Sequence, residues 1–174
     1  RDRVMGIDVE PGLAFVKSQI AAGTSLTTPG TVFFSLADRD KEVGMEIAAT
    51  LAGVGFRFVA TAGTAAALEE AGMTVDEVVA RIEDDGPNVV DLMAEGRIDL
   101  VINTPRGRGP RADGSYIRTA AAQNGVALVT TVSAAGAAAR GMAGRGPGPF
   151  TVRSLQEIHR AGFALAEAAV SDGE

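Results

Sequence analysis

Gly55-Phe56-Arg57-Phe58-Val59-Ala60-Thr61-Ala62-Gly63-Thr64 decides the fold. A glycine ends one segment, an apolar run follows at once, and the run breaks at a Thr/Ala/Gly turn that opens into Ala65–Ala71, a helix that Thr64 can cap. Glycine just past a helix end takes the left-handed conformation that releases the chain into a strand. The same punctuation recurs at Gly72 before Met73-Thr74-Val75, at Gly96 before Ile98-Asp99-Leu100-Val101-Ile102, and at Gly125 before Val126-Ala127-Leu128-Val129. A further apolar run, Thr31-Val32-Phe33-Phe34-Ser35-Leu36, precedes the first such helix. Strands this uniformly apolar are covered on both faces, as in a parallel sheet. With short links between strand and helix, they predict right-handed crossovers and a three-layer α/β/α fold around five parallel strands.

The helices fit this scheme. Val43, Ile47, Leu51 and Val54 recur at helical spacing and predict an apolar stripe on the sheet. Asn88 with Asp91 three residues on reads as an N-terminal capping pair, Asp113 to Asn124 reads as a helix with Ile117 and Ala121 inward, and Ser154-Leu155-Gln156-Glu157 is a capping box opening a last helix with an apolar seam of Leu155, Ile158, Gly162, Leu165 and Ala169. The chain divides into an N-terminal helical piece and linker (1–29), the α/β unit (30–144), and a Gly/Pro linker with the last helix (145–174). The N-terminal helix, Gly12 to Ala22, is expected to have no partner of its own and to leave apolar surface free for self-association.

Composition narrows the function. The chain has 174 residues, no Cys, one His, and 46% hydrophobic residues, enough to fill a core. Without Cys there are no disulfides, thiolate metal sites or cysteine nucleophiles. A net charge of −6 argues against nucleic-acid binding. No run approaches the ~20 apolar residues of a membrane span, and no signal sequence opens the chain, so a cytoplasmic location is expected. The start at Arg1, without Met, is expected of a piece of something longer.

In parallel α/β sheets, ligands bind outside the carboxyl ends of the strands. There the sequence places Asp38 and Lys41 after the first strand, Thr61-Ala62-Gly63-Thr64 after the second, Arg81 after the third, Asn103-Thr104-Pro105 after the fourth and Thr130-Thr131 after the fifth. Two hydroxyls, a helix N-terminus behind Gly63, one Lys and one Arg describe an anion site. Thr61 and Thr64 also read simply as caps, and Lys41 as a surface charge; it is their succession along one rim that points to phosphate. The lone His159 lies far in sequence from this rim, consecutive Glu83-Asp84-Asp85 read as a solvated turn rather than a metal cluster, and Arg106, Arg108 and Arg111 read as a loop flanking the site.

Several motifs carry a resemblance to a known family: Met5-Gly6-Ile7-Asp8, Phe15-Val16-Lys17-Ser18-Gln19, Asp38-Arg39-Asp40-Lys41, Ala60-Thr61-Ala62-Gly63-Thr64, Gly86-Pro87-Asn88-Val89-Val90-Asp91-Leu92, Ile102-Asn103-Thr104-Pro105 and Arg111-Ala112-Asp113-Gly114-Ser115-Tyr116-Ile117-Arg118. Over about residues 1–140 the chain resembles the C-terminal end of carbamoyl-phosphate synthetase large subunits. Residues 1–29 resemble the tail of the second ATP-grasp half, and the rest resembles the methylglyoxal-synthase-like regulatory domain. The resemblance implies a UMP- and IMP-binding effector domain with phosphate ligands Lys41, Thr61, Gly63, Thr64 and Arg81 and nucleotide contacts from Asn103 and Thr104. It also implies an ornithine side at Asp113 and Thr130, whose partners lie on the synthetase domain. Arg81 replaces the family's Lys, which keeps charge and changes geometry, and Pro105 replaces a Thr. The whole enzyme implied is an ATP-dependent ligase, working with Mg and K ions and a glutaminase small subunit, that makes carbamoyl phosphate from glutamine and bicarbonate for pyrimidine and arginine synthesis. The present chain is expected to hold no catalytic site, cofactor or metal, and to contact neither nucleic acid nor membrane. The alternatives are a methylglyoxal-synthase-type lyase, for which the Asp85-Gly86-Pro87 turn and the Pro110-Arg111 loop supply no His-Asp pair, a cyclohydrolase-type relative, which the N-terminal motif does not support, and a docking module without a ligand.

Overall fold

A computed structural model describes residues 4–24, 26, 29–82, 84–105, 112–145, 150 and 152–160, with backbone alone at 112 and 113. The five strands are β1 (Thr31–Ser35), β2 (Arg57–Thr61), β3 (Glu77–Val79), β4 (Leu100–Asn103) and β5 (Ala127–Val129). All pair in parallel in the order β3-β2-β1-β4-β5. The helices are α1 (Pro11–Ala21), α2 (Lys41–Gly53), α3 (Ala62–Glu70), α4 (Val89–Ala94), α5 (Ala112–Asn124) and α6 (Val132–Ala143), and a further helical turn covers 155–160.

Alternation along the strands divides the core in two. Val32, Phe34 and Leu36 join Phe58, Leu100 and Ile102 under α1, α2, α3 and α6. On this face Phe34 and Phe58 meet edge to face, with ring centres 5.5 Å apart. Phe33, Val59 and Val101 face the other way, under Leu92 and Met93 of α4 and Ile117, Ala120 and Ala121 of α5. The chain winds outward from central β1 through α2 and α3, returns through α4 to β1's other side, and winds outward again through α5. Right-handed crossovers require those two directions to place their helices on opposite faces. Gly55, Gly72, Gly96 and Gly125 all have positive φ, as the helix stops require.

Four expectations are corrected. The third strand lies at Glu77–Val79, not at Met73-Thr74-Val75; Met73 and Val75 pack on the core from an irregular segment. Val43 is 46% exposed, and its neighbour Gly44 is buried instead, because Leu36 Cδ1 occupies the space a Cβ would need there. Helix α6, unanticipated in the Ala/Gly-rich stretch after β5, spans Val132–Ala143 and contains Gly141. Most consequentially, α1 has a partner. It crosses α6 where Gly12 and Gly141 meet backbone to backbone, and Val16 is fully buried in the main core with Phe15 and Ile20 packed beside it.

The segment before α1 is fastened too. Lys17 Nζ lies 2.6 Å from Asp8 Oδ2, with both side chains less than one-fifth exposed. The Lys17 hydrogen bond, helped by the Glu10 backbone N–H, holds the Asp8 carboxyl below its ordinary value of 3.8 against the opposing effect of burial. A carboxyl lowered on folding contributes stability above its unfolded pKa and loses it as pH falls through the folded value. The stability difference between the wild type and Asp8→Asn, measured by urea unfolding, is therefore present at pH 6 and shrinks as pH drops below about 4; a pH-independent difference contradicts the pairing.

The helix crossing makes a second prediction. A Cβ at Gly141 would collide with the Gly12 carbonyl oxygen, whereas one at Gly53, the last residue of α2, meets nothing within 4 Å. Gly141→Ala lowers stability by about 1–3 kcal/mol, and Gly53→Ala raises it by about 0.5–1 kcal/mol. Equal effects at the two sites would refute the close α1–α6 crossing.

Candidate functional site

The sheet order reverses at β1: β2 lies on one side of it, β4 on the other, and the chain leaves β1 and β4 in opposite directions. A crevice opens at such a point. Its floor is the segment Leu36–Ala37, whose two consecutive N–H groups are caught from opposite sides. Leu36 N–H donates to Thr64 Oγ1 at 3.0 Å, and Ala37 N–H donates to Thr104 Oγ1 at 2.9 Å. Thr104 N–H in turn donates to the Ser35 carbonyl at 2.9 Å, and Arg39 Nη2 reaches the Pro105 carbonyl at 2.8 Å. The loops after β1 and β4 and the first turn of α3 thus form one braced unit.

Thr61 is the N-cap of α3 and makes no side-chain capping bond. The helix begins at Ala62, so Thr64 stands inside its first turn and does not cap it; its hydroxyl faces the β1 loop instead. Both threonines are buried, with their Oγ1 atoms 3.5 Å apart. The first-turn N–H groups of α3 therefore receive no capping bond from the Thr61 side chain and present the partial positive charge of a helix start. Gly63, exposed in that turn, lets a ligand approach the backbone.

Directly after Ala37, a 3₁₀ turn at Asp38–Asp40 leads into α2, whose first residue is Lys41. Lys41 Nζ lies 2.7 Å from Asp38 Oδ1; the lysine side chain is 27% exposed and the aspartate 86%. Asn103, half-buried, ends β4.

The remaining sequence candidates lie farther out. Arg81 follows edge strand β3, two residues beyond Val79, the register partner of Thr61. Thr130 follows β5, the opposite edge. The edges are four strand spacings apart, on the order of 19 Å at about 4.8 Å each, so one phosphate cannot touch both residues. Asp113 falls in the first turn of α5, described there by backbone only. Arg106, Arg108 and Arg111 lie outside the described residues, as do Gly162, Leu165 and Ala169 of the last seam. His159 is exposed on the 155–160 turn, and Asp84 and Asp85 are exposed after β3.

A family model described as an MGS-like domain matches residues 44–130, half of the chain. The chain belongs to the MGS-like domain family. Among curated relatives, the carbamoyl phosphate synthase large chain of Mycobacterium tuberculosis (strain H37Rv) is 45% identical over 163 residues, covering 90% of this chain and 15% of its own length. The protein of Beutenbergia cavernae with the same name is 46% identical over 170 residues, covering 94% and 15%. In Methanopyrus kandleri the similar protein is named carbamoyl phosphate synthase large chain, C-terminal section; it is 44% identical over 165 residues, covering 94% of this chain and 30% of its own. The chain thus spans 15–30% of these relatives. The matched stretch of this MGS-like domain runs from α2 to the end of β5 and contains every strand end but that of β1.

The roles of Thr64 and Thr104 as acceptors for successive amides could not be read from strand-end position alone. The available signal was that both follow strands flanking the switch point, where a central loop's N–H groups have no strand to pair with. Thr104→Val, which keeps shape and removes the acceptor, is expected to cost about 1–3 kcal/mol, and Thr104→Ser to restore most of it. Denaturant midpoints that do not separate the two variants would contradict the brace.

Proposed function

We propose that the chain is the effector-binding regulatory domain of a carbamoyl phosphate synthase large chain, and that it takes a nucleoside monophosphate of the UMP or IMP kind at the β1 switch point. The carrying observation is the conjunction of an uncapped α3 start, a Gly in its first turn and the Lys41 ammonium at the head of α2, just beyond the braced β1 loop, in a chain 45% identical to such large chains over 90% of its length. In this reading the phosphate lies on the α3 first turn. The Gly63 and Thr64 backbone donates to it, the Thr61 hydroxyl turns to it from the Thr64 Oγ1 to which it otherwise donates at 3.5 Å, the Thr64 hydroxyl donates while still accepting from Leu36 N–H, and Lys41 supplies charge. Arg81 adds a second charge from one strand away, and the nucleoside extends past Asn103 and Thr104 toward the β4 loop. Asp113 and Thr130, near the far edge, belong to a separate ornithine contact completed by the preceding synthetase domains of the same subunit.

In the full enzyme the ligase chemistry, with ATP, Mg and K ions and the glutaminase small subunit, belongs to the other parts. This domain contributes a coupling free energy, typically about 1–3 kcal/mol, rather than a catalytic group. A lyase on this scaffold would need paired acid and base groups at the crevice. Asp38 is largely in solvent and on Lys41, and Asp40 of the same turn lies 3.7 Å from Arg39 Nε.

Isothermal titration of the 174-residue chain with UMP, IMP and ornithine tests the reading. UMP or IMP is expected to bind saturably, and Lys41→Ala to weaken that binding about 10- to 100-fold, as loss of a charge-assisted hydrogen bond implies. Binding undiminished in Lys41→Ala refutes the pocket. Conversion of dihydroxyacetone phosphate to methylglyoxal would favour the lyase.

A further inference from the structure

We propose that Asp38 is a built-in competitor at the phosphate site, setting its affinity by holding Lys41 until a phosphorylated ligand arrives; this rests on the nucleotide reading above. Asp38 and Lys41 are three residues apart, and the 3₁₀ turn followed directly by α2 brings the carboxylate to 2.7 Å from Nζ. The contact has two consequences. It keeps a flexible four-carbon side chain in a narrow set of rotamers beside the crevice, which reduces the entropy that binding must remove. It also places a negative charge next to the cation that the phosphate requires.

Because Asp38 is 86% exposed, the pair is a surface ion pair and weak. A phosphate dianion can displace the carboxylate, so Asp38 trims affinity rather than closing the site. Even if the ammonium, with its three donors, serves both anions at once, the retained carboxylate repels the incoming charge. In either geometry the negative charge of Asp38 opposes binding. Asp40, on the same turn, does not share this position: its carboxylate lies 3.7 Å from Arg39 Nε. It therefore provides a control carrying the same charge at nearly the same place.

The test is calorimetric titration of the 174-residue chain with UMP, with uridine as the phosphate-free probe, for the wild type, Asp38→Asn, Asp40→Asn, Lys41→Gln and the Asp38→Asn/Lys41→Gln double variant. Asp38→Asn is expected to tighten UMP about 1.5- to fivefold, the size of one surface ion pair removed. The gain disappears in the Lys41→Gln background, shrinks at 0.5 M salt (a Debye length of about 4 Å), and is absent for uridine. UMP affinity unchanged or weakened in Asp38→Asn, with Lys41→Gln still impaired, overturns the role of Asp38 and leaves the phosphate site standing. Equal tightening by Asp40→Asn reduces the effect to the general field of the turn and overturns direct competition. Absence of saturable UMP binding in every protein overturns both the competitor and the nucleotide reading.

Discussion

Two consecutive backbone amides at the end of the central strand must be satisfied out of reach of any neighbouring strand. A buried N–H without an acceptor costs about 1–3 kcal/mol, and Leu36 and Ala37 emerge where the sheet changes direction and ladder partners run out. Thr64 and Thr104 solve this with one hydroxyl each, one from the first turn of α3 and one from the loop after β4. The solution has a geometric by-product. Fixing the β1 loop to both neighbours sets the distance between the α3 N-terminus and the β4 loop, so the crevice is shaped before any ligand enters. The Arg39 bond to the Pro105 carbonyl adds a third tie between the same loops.

In the proposed reading, a chain of net charge −6 takes an anion through local rather than overall charge. The attraction is local. It comes from peptide dipoles at a helix start that lacks a side-chain cap and from one lysine at the head of α2, not from a basic surface. Acidic residues crowd the same turn, and one of them already occupies the lysine. Selectivity therefore depends on fixed donors within a small volume rather than on long-range steering, which suits a phosphate group and not a polyanion.

Much of the architecture was legible because the signals were local. The glycine stops, the apolar strands and the Asn88–Asp91 capping box each depend on a few adjacent residues; in the structure Asn88 Oδ1 accepts from Val90 N–H at 2.9 Å while Asp91 accepts from Asn88 N–H at 3.1 Å. The Ser154–Glu157 box forms in the same way, with Ser154 N–H 2.7 Å from the Glu157 carboxylate. What escaped was non-local. Edge strand β3 has one covered face fewer, so Glu77 and Val78 do not advertise it, while the apolar Met73 and Val75 ahead of it serve the core without pairing. Helix α6 is built of small residues whose burial depends on backbone approach to α1, and neither partner announces the other until Gly12 and Gly141 meet. At the candidate site, position beyond a strand was enough to single out Lys41, Thr61, Gly63 and Thr64 as candidates. The division of labour between ligand donors and loop braces depends on which amides lack partners, a property of the sheet order and not of any motif.

The proposed seat of the ligand phosphate is the braced junction of β1, α3 and β4. Amide chemical-shift mapping of the ¹⁵N-labelled chain during titration with UMP measures this directly. The largest perturbations are expected on Leu36, Ala37, Lys41, Gly63 and Thr64, with smaller ones at Asn103 and Thr104. Perturbations centred instead on the amino ends of the strands, around Thr31 and Asp99, or on the α1–α6 crossing would contradict that seat.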